Sequence, residues 1–156
     1  RSKDIYDGAI PSGNSVSFNN LLKLSRLTSN NEYENLASKL SKSFSDIINK
    51  APTGTTMMLS GVDFALGGSS EIIIVSDKKN QEATDLIKQL NQVFIPNKVV
   101  VLKTQDNAKE LEKIAPFTKD YKIEPGKTVV YVCKNYKCNL PTSDIKTVFE
   151  LLDYNQ

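Results

Sequence analysis

Apolar residues recur along this chain with two different spacings, and the change from one to the other divides it. From residue 16 to residue 66 the spacing is helical. Val16, Leu21, Leu24 and Leu27, with Phe18 and Leu22 beside them, predict a helix whose apolar face is broad enough to be buried on more than one side. A second set, Tyr33, Leu36, Ala37, Leu40, Phe44, Ile47 and Ile48, follows the i, i+3, i+4, i+7 template through four turns and stops before Ala51-Pro52. A third helix is predicted over 55–66, closed by the breaker cluster Gly67-Gly68-Ser69-Ser70.

Past that cluster the spacing changes. Residues 71–76 and 98–103 are β-branched runs, and the segment 81–94 between them reads as an amphipathic helix through Ala83, Leu86, Ile87, Leu90 and Val93. That is a βαβ unit. Strands so uniformly apolar need cover on both faces, and the crossover between them is expected to be right-handed. A shorter helix over 107–114, the turn Glu124-Pro125-Gly126-Lys127 and a third strand over 128–133 follow. The last helix opens near Thr142-Ser143-Asp144, with Ile145, Val148, Phe149 and Leu152 on its buried face and Leu151 widening it. The expected architecture is mixed α/β: a helical segment over 1–68, then a small, three-stranded, mainly parallel α/β subdomain with a C-terminal helix over 69–156. No internal repeat or low-complexity stretch interrupts it.

At 156 residues the chain can bury roughly 70% of its unfolded surface. The 20 Lys and Arg are interspersed with 18 Asp and Glu, so the charge footprint of a nucleic-acid or anionic-membrane binder is missing and neither partner is expected. The aliphatic runs 72–75 and 99–102 are far shorter than a membrane span. The chain opens on Arg1 with no apolar leader, and a fragment of a longer protein is expected. Two cysteines are too few for a secreted disulfide scaffold, which favours a reducing, cytoplasmic setting without excluding one disulfide.

There is no histidine. Ser-His-Asp triads, Cys-His pairs and histidine-ligated metal sites are therefore excluded within this chain, and no cofactor is called for. Cys133 sits at a predicted strand end and Cys138 past an Asn/Lys turn, which allows their Cα atoms within bridging distance. Three readings of the pair are open. It is a structural pair, as buried thiols or one disulfide; a redox-active dithiol, favoured by the flanking Lys134 and Lys137 and opposed by the lack of Cys-x-x-Cys spacing; or part of a metal site, for which two thiolates fall short.

Asp7, Ser12, Asn14 and Ser15 crowd polar groups where a Gly-containing loop enters the first helix. Ser12 or Asn14 can cap that helix, and the same groups are candidates to face a ligand, since a helix N-terminus with close backbone approach suits anions or sugar hydroxyls. Gly67-Gly68-Ser69-Ser70 precedes a strand and lacks the Lys of a phosphate loop, so it reads as a linker. Ser76-Asp77-Lys78-Lys79-Asn80 occupies a strand-to-helix turn, where nucleotide sites lie in open α/β sheets, but it has no glycine. Asp63 reads as helix surface.

The run 7–15, Asp-Gly-Ala-Ile-Pro-Ser-Gly-Asn-Ser, the Leu-rich helix ending in Arg26-Leu27-Thr28, the run Tyr131-Val132-Cys133-Lys134-Asn135 and then Cys138-Asn139-Leu140-Pro141 resemble the C-terminal end of YyaL-like proteins. These are bacterial and archaeal relatives of the spermatogenesis-associated thioredoxin-domain proteins. The resemblance implies a parent with an N-terminal thioredoxin-like domain, then a six-hairpin α/α toroid similar to sugar epimerases and glycosidases, then this tail. The first three helices would be closing helices of the toroid, whose loops line a cavity. Asp7, Ser12, Asn14 and Ser15 would then be the ligand-facing positions.

Three functional readings follow. The first is a scaffolding or interaction segment with no complete active site, partnered by the rest of its parent chain or by a second copy of itself. The second is part of a carbohydrate-binding or sugar-processing toroid. The third is a dithiol relay through Cys133 and Cys138.

Overall fold

The structure is a computed structural model and describes residues 4–134 and 137–154. The chain falls into two compact units, Arg1–Gly68 and Ser69–Gln156.

In the first unit, α1 (Gly13–Thr28) opens at Ser12, whose side-chain oxygen accepts the N–H of Ser15, and closes at Ser29 with φ 54. Asn30 caps α2 (Asn31–Ser43) by accepting the N–H of Glu32. The single four-turn helix expected here is broken at Phe44. Its backbone, at φ −119 and ψ 4, leaves the helical basin, and its ring is buried. The cause lies in the serines around it. Ser41, Ser43 and Ser45 turn their hydroxyls onto the carbonyls of Ser38, Lys39 and Lys42, competing with the helical ladder. The chain resumes as α3 (Ser45–Lys50), passes a 3₁₀ turn at Pro52–Gly54 and enters α4 (Thr56–Leu66). Helix α1 packs against both α2 and α4, which explains its broad apolar face. Phe18, Leu22, Ala37, Met58 and Phe64 are buried in this unit.

The second unit is built on β1 (Ser70–Ser76), in which Ile72, Ile73, Ile74 and Val75 are all but sealed from solvent. At about 1.5–3 kcal/mol for each fully buried side chain, this strand is the main driving force of the unit. Helix α5 (Gln81–Gln92), capped by the Asn80 side chain, leads to β2 (Lys98–Lys103), which pairs parallel to β1. After α6 (Ala108–Ile114) and a 3₁₀ segment at Pro116–Asp120 come β3 (Thr128–Lys134), the two-residue β4 (Lys137–Cys138) and α7 (Ile145–Leu151).

The sheet has four strands in the order β2-β1-β3-β4, and only its β1–β2 pair is parallel. Both β1–β3 and β3–β4 are antiparallel, so the expected three-stranded, mainly parallel sheet is replaced by a mixed one. The connection begins and ends at one end of the sheet: Thr128 pairs with Ser76 at the end of β1 where β2 also finishes, so β3 runs back antiparallel to β1. Asp77 Oδ2 accepts the N–H of Gly126, at φ 70, and fixes the reversing turn.

Alternation along β1 and β3 gives the sheet two covered faces. On one, Ile72, Ile74, Val130 and Val132 meet Leu86 and Leu90 of α5 and Val148 and Phe149 of α7. On the other, Ile73, Val75 and Cys133 lie under Phe117, Tyr121 and Ile123. Among the described residues no helix is long and apolar enough to cross a membrane.

Candidate functional site

Because side chains alternate along a strand, Tyr131 and Cys133 share a face of β3. Cys133 is 4% exposed, whereas Cys138, opposite it on β4, is exposed. The two are joined as a disulfide, with S–S 2.04 Å and Cα–Cα 3.9 Å. The bridging distance read from the sequence is thus present. The turn residues Asn135 and Tyr136 lie outside the described residues.

Tyr121 lies over the pair. Its hydroxyl is 3.1 Å from Cys138 Sγ and 3.5 Å from Cys133 Sγ. Edge-to-face contacts with Tyr131, at 4.6 Å between centroids, and with Phe117, at 6.2 Å, hold the ring. Burial first, then the charges of Asp120, Tyr131 and Glu71, keeps the phenol above its usual value of 10.0. At neutral pH it is a protonated donor.

Beneath Tyr121 is a buried lysine. The β2 alternation that turns Val99 and Val101 inward also turns Lys103 inward, to 3% exposure. Its Nζ donates to the carbonyls of Thr118 (2.6 Å) and Tyr121 (2.9 Å) and pairs with Glu112 Oε1 at 2.8 Å. All three ammonium donors are used. Sequence reasoning missed both residues. The spacing Val99, Val101, Lys103 was a signal for one, whereas Tyr121 stands in a stretch without periodicity. Of the two flanking lysines, Lys134 is turned to Asp153 Oδ2 at 2.6 Å, and Lys137 is exposed. Among the described residues no group of three or more His, Cys, Asp or Glu side chains is arranged to hold a metal ion.

The second set of candidates is brought together in the first unit. Asp7, 7% exposed, accepts the N–H of Ser12 on Oδ1 (2.8 Å). Its Oδ2 accepts the Ser15 hydroxyl (3.0 Å) and the N–H groups of Met57 (2.9 Å) and Met58 (3.1 Å). Ser12 Oγ donates to Ser15 Oγ at 2.8 Å, and Asn14 Nδ2 donates to the Asp4 carbonyl. Burial pushes the Asp7 carboxyl up, and the hydrogen bonds from Ser12, Met58, Ser15 and Met57 more than offset it, leaving the group below 3.8. The aspartate thus joins the start of α1 to the start of α4, and Asn19 Nδ2 adds a bond to the Met57 carbonyl. Asp63 lies on α4.

No protein-family model matches this chain, and no solved structure matches it significantly. Curated proteins do. Spermatogenesis-associated protein 20 of Homo sapiens is 31% identical over 144 residues, and that of Rattus norvegicus is 30% identical, in both cases over 92% of this chain. An uncharacterized protein of Caenorhabditis elegans is 29% identical over 148 residues, 94% of the chain. The chain is homologous to these proteins over most of its length. It spans only 18% of the human and rat proteins and 20% of the nematode one.

Proposed function

We propose that Cys133 and Cys138 form a reversible dithiol–disulfide pair, carried on a segment of a protein of the YyaL-like and spermatogenesis-associated group. The observation that carries this reading is the asymmetry of the pair: one sulfur on an exposed two-residue edge strand, the other on a buried residue of β3, with a tyrosine hydroxyl within 3.5 Å of both. Thiol–disulfide exchange needs an entry sulfur that a nucleophile can reach and a second that leaves or resolves.

Magnitudes favour exchange over a staple. A cross-link between residues five apart removes only about 2 kcal/mol of unfolded-state entropy. The hairpin is already held next to it, where Asn139 N–H donates to the Val132 carbonyl at 3.0 Å. The resemblance supplies a redox neighbour by implication, since YyaL-like proteins carry a thioredoxin-like domain elsewhere in the chain.

The test is thiol counting by alkylation and mass spectrometry across a series of glutathione potentials. Both thiols are expected to appear together within the cytosolic window, about −220 to −320 mV. A bond that stays closed through that window, or two thiols that stay free throughout, overturns the proposal.

A further inference from the structure

The two sulfurs of the pair differ in more than exposure. An incoming thiolate can reach Cys138 Sγ on β4, and the electron pair of the broken bond then falls on Cys133 Sγ. That sulfur is buried on the face that holds Ile73, Val75 and Tyr131. Apolar burial raises a thiol's pKa, which disfavours the thiolate. A hydrogen-bond donor at that sulfur offsets the penalty, and the Tyr121 hydroxyl, 3.1 Å from Cys138 Sγ, is also 3.5 Å from Cys133 Sγ, where it can donate once the bond is broken.

From this geometry we infer that Tyr121 is a catalytic residue of the exchange, setting its order: Cys138 is the entry sulfur and Cys133 the leaving and resolving one. The inference rests on the reversible pair proposed above. A thiolate attacks Cys138 Sγ, forming a mixed disulfide as the Cys133–Cys138 bond breaks. The displaced electron pair stays on Cys133, which accepts the Tyr121 O–H hydrogen bond. A second thiol attacks the mixed disulfide, so two thiols are oxidised to their disulfide and the protein pair is reduced to two thiols. In reverse, the Cys138 thiolate attacks a substrate disulfide and Cys133 resolves the adduct.

Tyr121 is well placed to favour the reduced state. A thiolate accepts a hydrogen bond more strongly than a disulfide sulfur does. Its ring is held independently of the hydroxyl, by Tyr131 and Phe117. Its backbone carbonyl is fixed by Lys103. Tyr121→Phe keeps the ring contacts and removes only the donor.

The experiment reads reduction of the protein by glutathione in the wild type and in Tyr121→Phe, and maps the glutathione adduct by peptide mass. With Tyr121→Phe, reduction is expected to slow about tenfold. The ratio of reduced to oxidised glutathione needed for half-reduction rises in the same direction, while the oxidised variant unfolds at the wild-type denaturant midpoint. The adduct is expected on Cys138. Cys133→Ser should form it readily and Cys138→Ser only slowly. Wild-type protein that exchanges with glutathione, paired with an unchanged rate and ratio in Tyr121→Phe or with the adduct on Cys133, overturns this inference and leaves the reversible pair standing. Wild-type protein that does not exchange at all overturns both.

Discussion

Asp7 Oδ2 accepts the backbone N–H of Met57 at 2.9 Å across fifty residues of chain. Residue 55, at the N-cap of α4, makes no side-chain bond to the helix, so the cap is supplied by Asp7 from a loop ahead of α1. Removing it leaves the N–H groups of Ser12, Met57 and Met58 and the Ser15 hydroxyl without this acceptor. Asp7→Ala is therefore expected to destabilise the fold by about 2–4 kcal/mol. Asp7→Asn should lie between that variant and wild type, because an amide keeps one acceptor and turns a donor toward donors. Urea denaturation checks both; a loss under about 0.5 kcal/mol for Asp7→Ala would remove the cap from the account.

The same carboxylate sets an acid limit. Its folded pKa lies below 3.8, so its contribution is fully present above the unfolded value and is lost as pH falls through the folded one. Between about pH 7 and 5 Asp7 adds no pH dependence, and below about 3.8 it adds a falling limb. Subtracting the Asp7→Asn profile from the wild-type profile isolates that limb. A difference that stays flat down to about pH 2 contradicts it.

What could be read from the sequence follows the range of the forces involved. The helices α1 and α5 and the strands β1 and β2 are set by local spacing, and the Ser12 cap by residue type at a helix start. The direction of β3 was hidden, because it is set by pairing with β1 some fifty residues earlier in the chain. So was the break at Phe44, where serine hydroxyls outweigh an unbroken helical pattern. For the candidate sites, the crowding of Asp7, Ser12, Asn14 and Ser15 was visible, but the partners at Met57 and Met58 were not. The bridging distance of Cys133 and Cys138 came from a strand-turn pattern; the inward turn of Lys103 was legible in the alternation of β2, but its bond to the Tyr121 carbonyl, and the reach of Tyr121 to the pair, are tertiary contacts that no spacing encodes.

Helix α4 leaves no room against α1 at Gly61, where an added Cβ would lie 2.6 Å from Phe18 Cδ1 and 2.9 Å from Asn19 Nδ2. Gly→Ala in a helix normally stabilises by about 1 kcal/mol. Here Phe18 is buried at 3% and cannot swing clear, so an overpacking cost of about 1–3 kcal/mol prevails. Gly61→Ala is expected to lower the unfolding temperature. Adding Phe18→Leu should make the two changes less than additive in a double-mutant cycle. Strict additivity would show that the two residues do not meet.

Cys138→Ser should cost little stability, at most about 2 kcal/mol, because β3 keeps its full ladder to β1 when β4 is no longer cross-linked. Thermal unfolding of the variant against the oxidised wild type checks this. A loss beyond about 4 kcal/mol would make the bond a staple and weaken the case for exchange.

Lys103 links stability to the sulfur site. Lys103→Met leaves the carbonyls of Thr118 and Tyr121 without their donor and Glu112, 30% exposed at its side chain, without its partner. Together these losses are expected to cost about 2–4 kcal/mol. The Tyr121 hydroxyl is positioned by its backbone as well as by Tyr131 and Phe117, so freeing that carbonyl loosens its hold on Cys133 and Cys138. Lys103→Met should therefore also slow glutathione exchange, approaching the Tyr121→Phe rate, and the double variant should be no slower than Tyr121→Phe alone. Equal exchange in Lys103→Met and wild type, measured below the temperature at which either unfolds, would show that the lysine holds the fold without holding the tyrosine.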